Sequence, residues 1–206
     1  MRTLLVTAHP VDTSFNAALA RAAREGLEAG GATVDLWDLY AEGFDPVMSR
    51  ADRLAYHDQP ANAALAQGGL TRLQQVEARI MCFPAWISSP PAMMKGWLEK
   101  LMLPGVAFSL APWRPRLTNI HTIAGIVTYG GSRWRNWLAG DSARKMVTRG
   151  VWGYTGWRAR VRYCAMYAVG KSTQEARHAF LGDLTAHMQR LAEQAPSRPV
   201  APPKAA

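Results

Sequence analysis

The sequence predicts an α/β domain: a five-stranded parallel sheet in the order 2-1-3-4-5, with helices on both faces, three layers in all. Three observations lead there. Short apolar runs alternate along the chain with segments of helical period, the pattern of a parallel sheet covered on both sides. The 206 residues suit one such domain with a continuous core. Polar, small-residue loops follow the first, third and fourth strands, at the edge where an open parallel sheet keeps its ligand crevice.

The elements follow in order. Thr3 to Thr7 reads as a buried strand, and Ser14 to Ala29 as a helix stopped by Gly30-Gly31. Thr33 to Asp38, with Val34 and Leu36 alternating, is the second strand. Leu39 to Arg50 is irregular, broken by Gly43 and Pro46. Ala51 to Gln59 holds a short helix, and Ala61 to Gln75 is helical in its second half. Arg79 to Phe83 is a mostly apolar strand that Pro84 stops, and Ser88-Ser89-Pro90-Pro91 delays the next element. Pro91 to Leu103 is a helix, with Met94, Leu98, Leu101 and Met102 at helical spacing, ended by Pro104-Gly105. Ala111 to Thr118 is a loop. Ile120 to Val127 is the fourth strand, closed by Thr128-Tyr129-Gly130-Gly131. Trp134 to Leu138 and Asp141 to Arg149 are two short helical pieces. Arg158 to Met166 is the last strand, with Val161, Tyr163 and Ala165 on one face. Thr173 to Glu193 is a long amphipathic helix capped by Ser172 or Thr173. The domain thus spans 1–194, and 195–206 is a loose Pro/Ala-rich tail.

Composition narrows the class. The apolar and charged fractions are those of a soluble globular protein. No apolar run approaches the roughly 20 residues of a membrane span, so no membrane insertion is expected. Leu4 to Ala8 is too short for a signal segment. Cys82 and Cys164 each sit inside an apolar run, as free thiols of a reducing, cytoplasmic compartment do. No Cys/His cluster has metal-ligand spacing, so no metal is expected. From Arg114 to Arg162 ten Arg and Lys face one acid, Asp141, while the remainder carries fourteen of each sign. The whole net charge of +9 therefore lies in one segment. That is a local cationic surface rather than a nucleic-acid binder, for which no module is present.

The strand, loop and helix start from Leu4 to Asn16 make an anion site. Backbone N–H groups opening a helix lack partners and carry the positive end of its dipole. The loop adds the His9 imidazole, the Thr13 and Ser14 hydroxyls and the Asn16 amide, beside Phe15. Neither a Gly-x-Gly-x-x-Gly fingerprint nor a P-loop is present, so a phosphate here rests on hydroxyls and amides. The plain alternative is an ordinary strand-to-helix turn with Ser14 as N-cap.

Three loops in order carry a resemblance. Ala8-His9-Pro10 with Ser14-Phe15-Asn16 resembles the first loop of the NAD(P)H:quinone oxidoreductase family, DT-diaphorase-like enzymes of flavodoxin-like fold, which holds the flavin phosphates. Phe83-Pro84-x-Trp86, followed by Pro91-Ala92-x-Met94-Lys95-Gly96-Trp97 and Leu103-Pro104-Gly105-Val106-Ala107-Phe108, resembles the second, which holds the isoalloxazine. Thr128-Tyr129-Gly130-Gly131 resembles the third. The resemblance implies that Pro84, Ala85, Trp86, Ile87, Thr128, Tyr129, Gly130 and Gly131 surround the ring. The chemistry agrees: Trp86 offers a flat apolar wall, and the two glycines let backbone come close to the ring edge. A core position is the alternative for Trp86. Lys95 and Trp97 read as packing and capping residues.

The resemblance further implies FAD, with FMN as the alternative, NAD(P)H as electron donor, and a quinone or similar two-electron acceptor in ping-pong sequence. It also implies a homodimer with the flavin near the interface. Trp134, Trp137, Trp152 and Trp157 suit either that surface or the core. One departure stands out. Family members carry a Tyr and a His after the Gly-Gly loop; here Ala139 takes the histidine's place and no tyrosine occurs there. Arg133, Trp134 and Arg135 are the substrate-side candidates, the arginines favouring negative charge on a reduced cofactor or acceptor or else standing as solvated surface charges. The missing pair leaves a rival reading, a flavin-binding regulatory subunit of a transport system without catalysis of its own.

Overall fold

The computed structural model describes residues 1–195, so the expected tail lies, but for Ala195, outside the described residues. In chain order the elements are β1 (Arg2–Thr7), α1 (Phe15–Ala29), β2 (Thr33–Asp38), α2 (Arg50–Ala55), α3 (Gly69–Gln75) and β3 (Ala78–Ala85). There follow α4 (Ala92–Leu101), β4 (Phe108–Leu110), β5 (Trp113–Pro115), β6 (Thr122–Tyr129), α5 (Arg133–Leu138), α6 (Ser142–Lys145), α7 (Val151–Gly153), β7 (Arg160–Met166) and α8 (Gln174–Glu193). The main sheet runs β2-β1-β3-β6-β7, every pair parallel, which is the expected order once the β4–β5 hairpin is set aside.

Strand alternation divides the core into two. Leu5, Ile80, Cys82, Ala124 and Ile126 face α1 and α8, whose Leu19, Ala23, Leu184 and Met188 complete that side. Leu4, Val6, Met81, Phe83, Ile123 and Val127 face the other way, against Trp97, Leu98 and Leu101 of α4. Trp97 is fully buried, edge-on to Trp37 at 5.9 Å, and does the packing work expected of it, whereas Lys95 is exposed and pairs with Glu99 on the helix surface. The two long helices touch closely because Gly26 lacks a side chain. A Cβ there would lie 2.3 Å from the Thr185 carbonyl oxygen. Both cysteines are free, Cys82 buried and Cys164 half-buried.

Several details differ from expectation. β3 runs through Pro84 to Ala85 rather than stopping at Phe83. β1 has already ended at Thr7, opposite Cys82, so the proline's missing N–H falls on the side where no strand needs it. β6 starts and ends two residues later than expected, which puts Thr128 and Tyr129 in the strand. The loop after α4 contains the β4–β5 hairpin. The second short helix is a composite of α6, a π-helical turn at Met146–Gly150, and α7. Among the described residues no helix is long and apolar enough to cross a membrane, and no His/Cys/Asp/Glu group could hold a metal.

Candidate functional site

The parallel order brings the carboxyl ends of β1, β3 and β6 side by side, and a cavity of about 520 Å³ opens over them. Its walls include His9, Ser14, Phe15 and Asn16 from the first loop, Pro84, Ala85, Trp86 and Ile87 from the second, and Thr128, Tyr129 and Gly130 from the third. Thirteen positions were expected around a cofactor; only Thr13 and Gly131 stand outside this lining. Arg133, Trp134 and Arg135 are exposed on α5 and do not line it either. Val169 does, from the turn after β7. It carries no local motif, but its place at the carboxyl end of the last sheet strand is the signal that would have found it.

The first loop can present backbone donors at the cavity, and fewer side-chain donors than its sequence offers. Ser14 caps α1, its Oγ accepting from the Ala17 N–H at 3.1 Å. The N–H groups of Phe15 and Asn16 precede any intrahelical acceptor, and no acidic residue occupies the first turn. His9 Nδ1 lies 3.0 Å from the Val11 N and 3.1 Å from the Val11 carbonyl oxygen; in the neutral tautomer that accepts from the N–H, Nε2 is the ring's donor. The Asn16 amide makes contacts within the chain that its sequence did not indicate. It is buried, its Nδ2 donates to Thr128 Oγ1 at 3.3 Å, and its Oδ1 accepts from the Cys82 thiol, so it ties α1 to the sheet. Burial pushes the Cys82 thiol up, which keeps it protonated as a donor.

The ring-sized part is flanked by Trp86, 46% exposed, and so not the core aromatic of the alternative reading. Its indole lies edge-on to His9 at 6.1 Å. A Cβ added at Gly130 would meet no atom within 4 Å, so backbone there stands open to the cavity. Deeper, Tyr129 is 1% exposed and stacks on Tyr167 at 4.5 Å. Its hydroxyl donates to Asp141 Oδ1 at 2.7 Å and also bonds to the Tyr163 hydroxyl. Burial first, then those two partners, pushes the Tyr129 phenol far up, so it holds its proton. The network joins β6, β7 and the residue that precedes α6. It faces inward, pinning the segment after the Gly130-Gly131 loop to β6 and β7.

A second cavity of about 510 Å³ adjoins the first at His9 and Asn16. It runs beside α1 over β2, between Arg21 and Arg24 on one side and Asp38 and Tyr40 on the other. Of the remaining tryptophans, Trp134 and Trp137 are exposed, whereas Trp152 packs half-buried against the core.

Comparison with known proteins adds three likenesses and a family. A family model described as flavodoxin-like fold matches residues 1–188. NAD(P)H dehydrogenase (quinone) 1 of Rattus norvegicus is 34% identical over 149 residues, 64% of this chain and 54% of that one. The chain spans about half the length of the curated relatives it matches. The fold resembles an NAD(P)H:quinone oxidoreductase from Methanothermobacter marburgensis, with a TM-score of 0.80 at 20% identity over 93% of this chain and 98% of that one. It also resembles an FMN-dependent NADH-azoreductase from Bacillus anthracis, solved in complex with FMN, with a TM-score of 0.74 at 14% identity over 93% and 100%.

Proposed function

The chain belongs to the flavodoxin-like fold family, and from that premise we propose that it is a flavin-dependent NAD(P)H oxidoreductase that passes a hydride from NAD(P)H to quinones or similar two-electron acceptors. The observation that supports this most is the single cavity lined by all three loops whose sequences resemble that family. The similarity to a quinone-reducing NAD(P)H dehydrogenase points the same way. A bound flavin would supply the two-electron chemistry. The chain's own work is to bind and orient: the Phe15 and Asn16 N–H groups and His9 Nε2 toward the phosphate, Pro84 to Trp86 and the rim residue Ile87 along the ring, Gly130 at its edge. Donor and acceptor would use the same face in turn, a ping-pong sequence.

FAD is the proposed cofactor, with FMN as the alternative. Room beyond the first cavity, next to His9, favours the longer cofactor. The azoreductase neighbour, solved with FMN, favours the shorter. The proposed setting is a cytoplasmic homodimer without a nucleic-acid partner. Two measurements test the reading. The purified protein is expected to show the visible absorbance of an oxidised flavin, with mass analysis of the released cofactor separating FAD from FMN. It is then expected to oxidise NADPH with a simple benzoquinone. Bound flavin without turnover would favour the regulatory-subunit reading, and absence of flavin binding would end both.

A further inference from the structure

The second loop holds a turn whose residues oppose its conformation. Trp86 and Ser89 exchange backbone hydrogen bonds at 2.9 and 3.0 Å, and the two residues between them, Ile87 and Ser88, have φ of +52° and +56°. Two positive φ values inside a closed two-residue loop mark the type I′ arrangement, whose preferred residues are Asn and Gly. A β-branched isoleucine in left-handed backbone is strained. Ile87 recovers none of that by packing within the chain, because its side chain is 100% exposed.

What holds the turn is a clasp from the segment after the third loop. Ser88 Oγ donates to Asn136 Oδ1 at 2.9 Å, and the 4%-exposed Asn136 is itself fixed by donating from Nδ2 to the Ser132 carbonyl at 2.9 Å. Ser142 Oγ donates to the Ser88 carbonyl at 2.9 Å and accepts from Ser89 Oγ at 2.7 Å. Next to Ser142, Asp141 is anchored by the buried Tyr129 hydroxyl. Three hydrogen bonds thus fasten a strained turn to a rigid base, and all three leave the Ile87 side chain free on the cavity rim. Strain that surrounding contacts enforce at a cavity is a mark of function.

We propose that this clasped turn is the specificity element of the site: it presents Ile87 as an apolar lip that covers one edge of the electron acceptor and selects quinones bearing hydrophobic substituents over small hydrophilic ones. The substrate class rests on the oxidoreductase reading above. Asn136 and Ser142 are positioning residues, acting through the turn. Ile87 gains from contact only when an apolar ligand takes it out of water.

The test uses the holo protein, a benzoquinone and a naphthoquinone with a long alkyl chain. Ile87→Gly relieves the strain and removes the lip. It is expected to melt at the same or a higher temperature while kcat/KM for the naphthoquinone falls about five- to tenfold, the worth of partly burying one aliphatic side chain. The benzoquinone value should fall by a clearly smaller factor, since that ring buries less of the lip. Ser142→Ala keeps the lip but opens the clasp. It is expected to speed amide hydrogen exchange in residues 86–89 by roughly tenfold and to lose the same discrimination. Ser142→Thr, which retains the hydroxyl, should restore both. A lower melting temperature for Ile87→Gly, equal effects on the two quinones, or unchanged exchange in Ser142→Ala overturns the proposal. So does a change of oligomeric state in Ile87→Gly, since the side chain then meets protein. Exchange and melting need no turnover, so a protein that reduces neither quinone but shows the expected exchange overturns the acceptor role while identifying the oxidoreductase reading as the part that failed.

Discussion

Replacing Arg79 by methionine is expected to stabilise the protein. Arg79 lies in β3 between Leu4 and Ile123, is 0% exposed, and among the described residues none of its three guanidinium nitrogens has a hydrogen-bond partner. Burial pushes its guanidinium down to about 10 from the ordinary 12.5. At about 1.4 kcal/mol per tenfold in proton affinity, that displacement amounts to roughly 3 kcal/mol against the charged form. Methionine has similar reach and no charge, so the expected gain is ~1–3 kcal/mol, the lower end allowing for imperfect repacking. The folded state binds this proton less tightly than the unfolded chain does. The penalty is therefore complete at neutral pH and fades only as pH rises from about 10 toward 12.5. Urea unfolding at neutral pH, followed by far-ultraviolet circular dichroism, compares the two midpoints at unchanged slope. A variant less stable by more than ~1 kcal/mol would refute the reasoning, because the guanidinium would then be making bonds worth more than its burial costs.

Two further expectations concern the site. Trp86 fluorescence should be quenched in the holo protein and recover when flavin is removed; with eight tryptophans in the chain, the contribution is read as the difference between wild type and Trp86→Phe, and equal quenching in both removes Trp86 from the ring wall. Arg133→Glu with Arg135→Glu should raise KM for NADPH by about tenfold more than for NADH at low salt, the gap closing as salt rises, because both arginines are exposed and screened. Initial rates with each nucleotide over a salt series decide it, and equal shifts for the two detach these arginines from the coenzyme.

The three inner strands were legible because each is an apolar run buried on both faces, as the middle of a parallel sheet imposes, whereas the partly exposed edge strands β2 and β7 were legible from their alternation. Their ends were less so. Pro84 reads as a stop because its missing N–H is visible in the sequence, whereas the early end of β1 that makes it harmless is a property of the partner strand. The β4–β5 hairpin has strands of three residues, too short for any alternation to register. The burial of Arg79 was equally hidden. A single cation in an apolar run looks like an edge or a strand end, and only the pairing of β3 on both sides encloses it.

At the site, motif order picked out three loops that the fold brings to one cavity, but it did not tell which polar side chains are engaged within the chain. Asn16 looks like a phosphate donor and is spent on Thr128 and Cys82; Ser14 is spent on the helix it starts. The hydrogen bonds that shape the second loop come from Asn136 and Ser142, 48 and 54 residues beyond Ser88, a distance at which no spacing rule operates. Polar residues in these loops thus serve mostly to fasten one loop to another, leaving backbone N–H groups and flat or apolar side chains at the cavity. Such a site positions its ligands through a rigid frame and has little need of a side-chain acid. The buried Tyr129–Asp141–Tyr163 network is consistent with that division, since its hydroxyls bond to each other and to Asp141 and stiffen the frame.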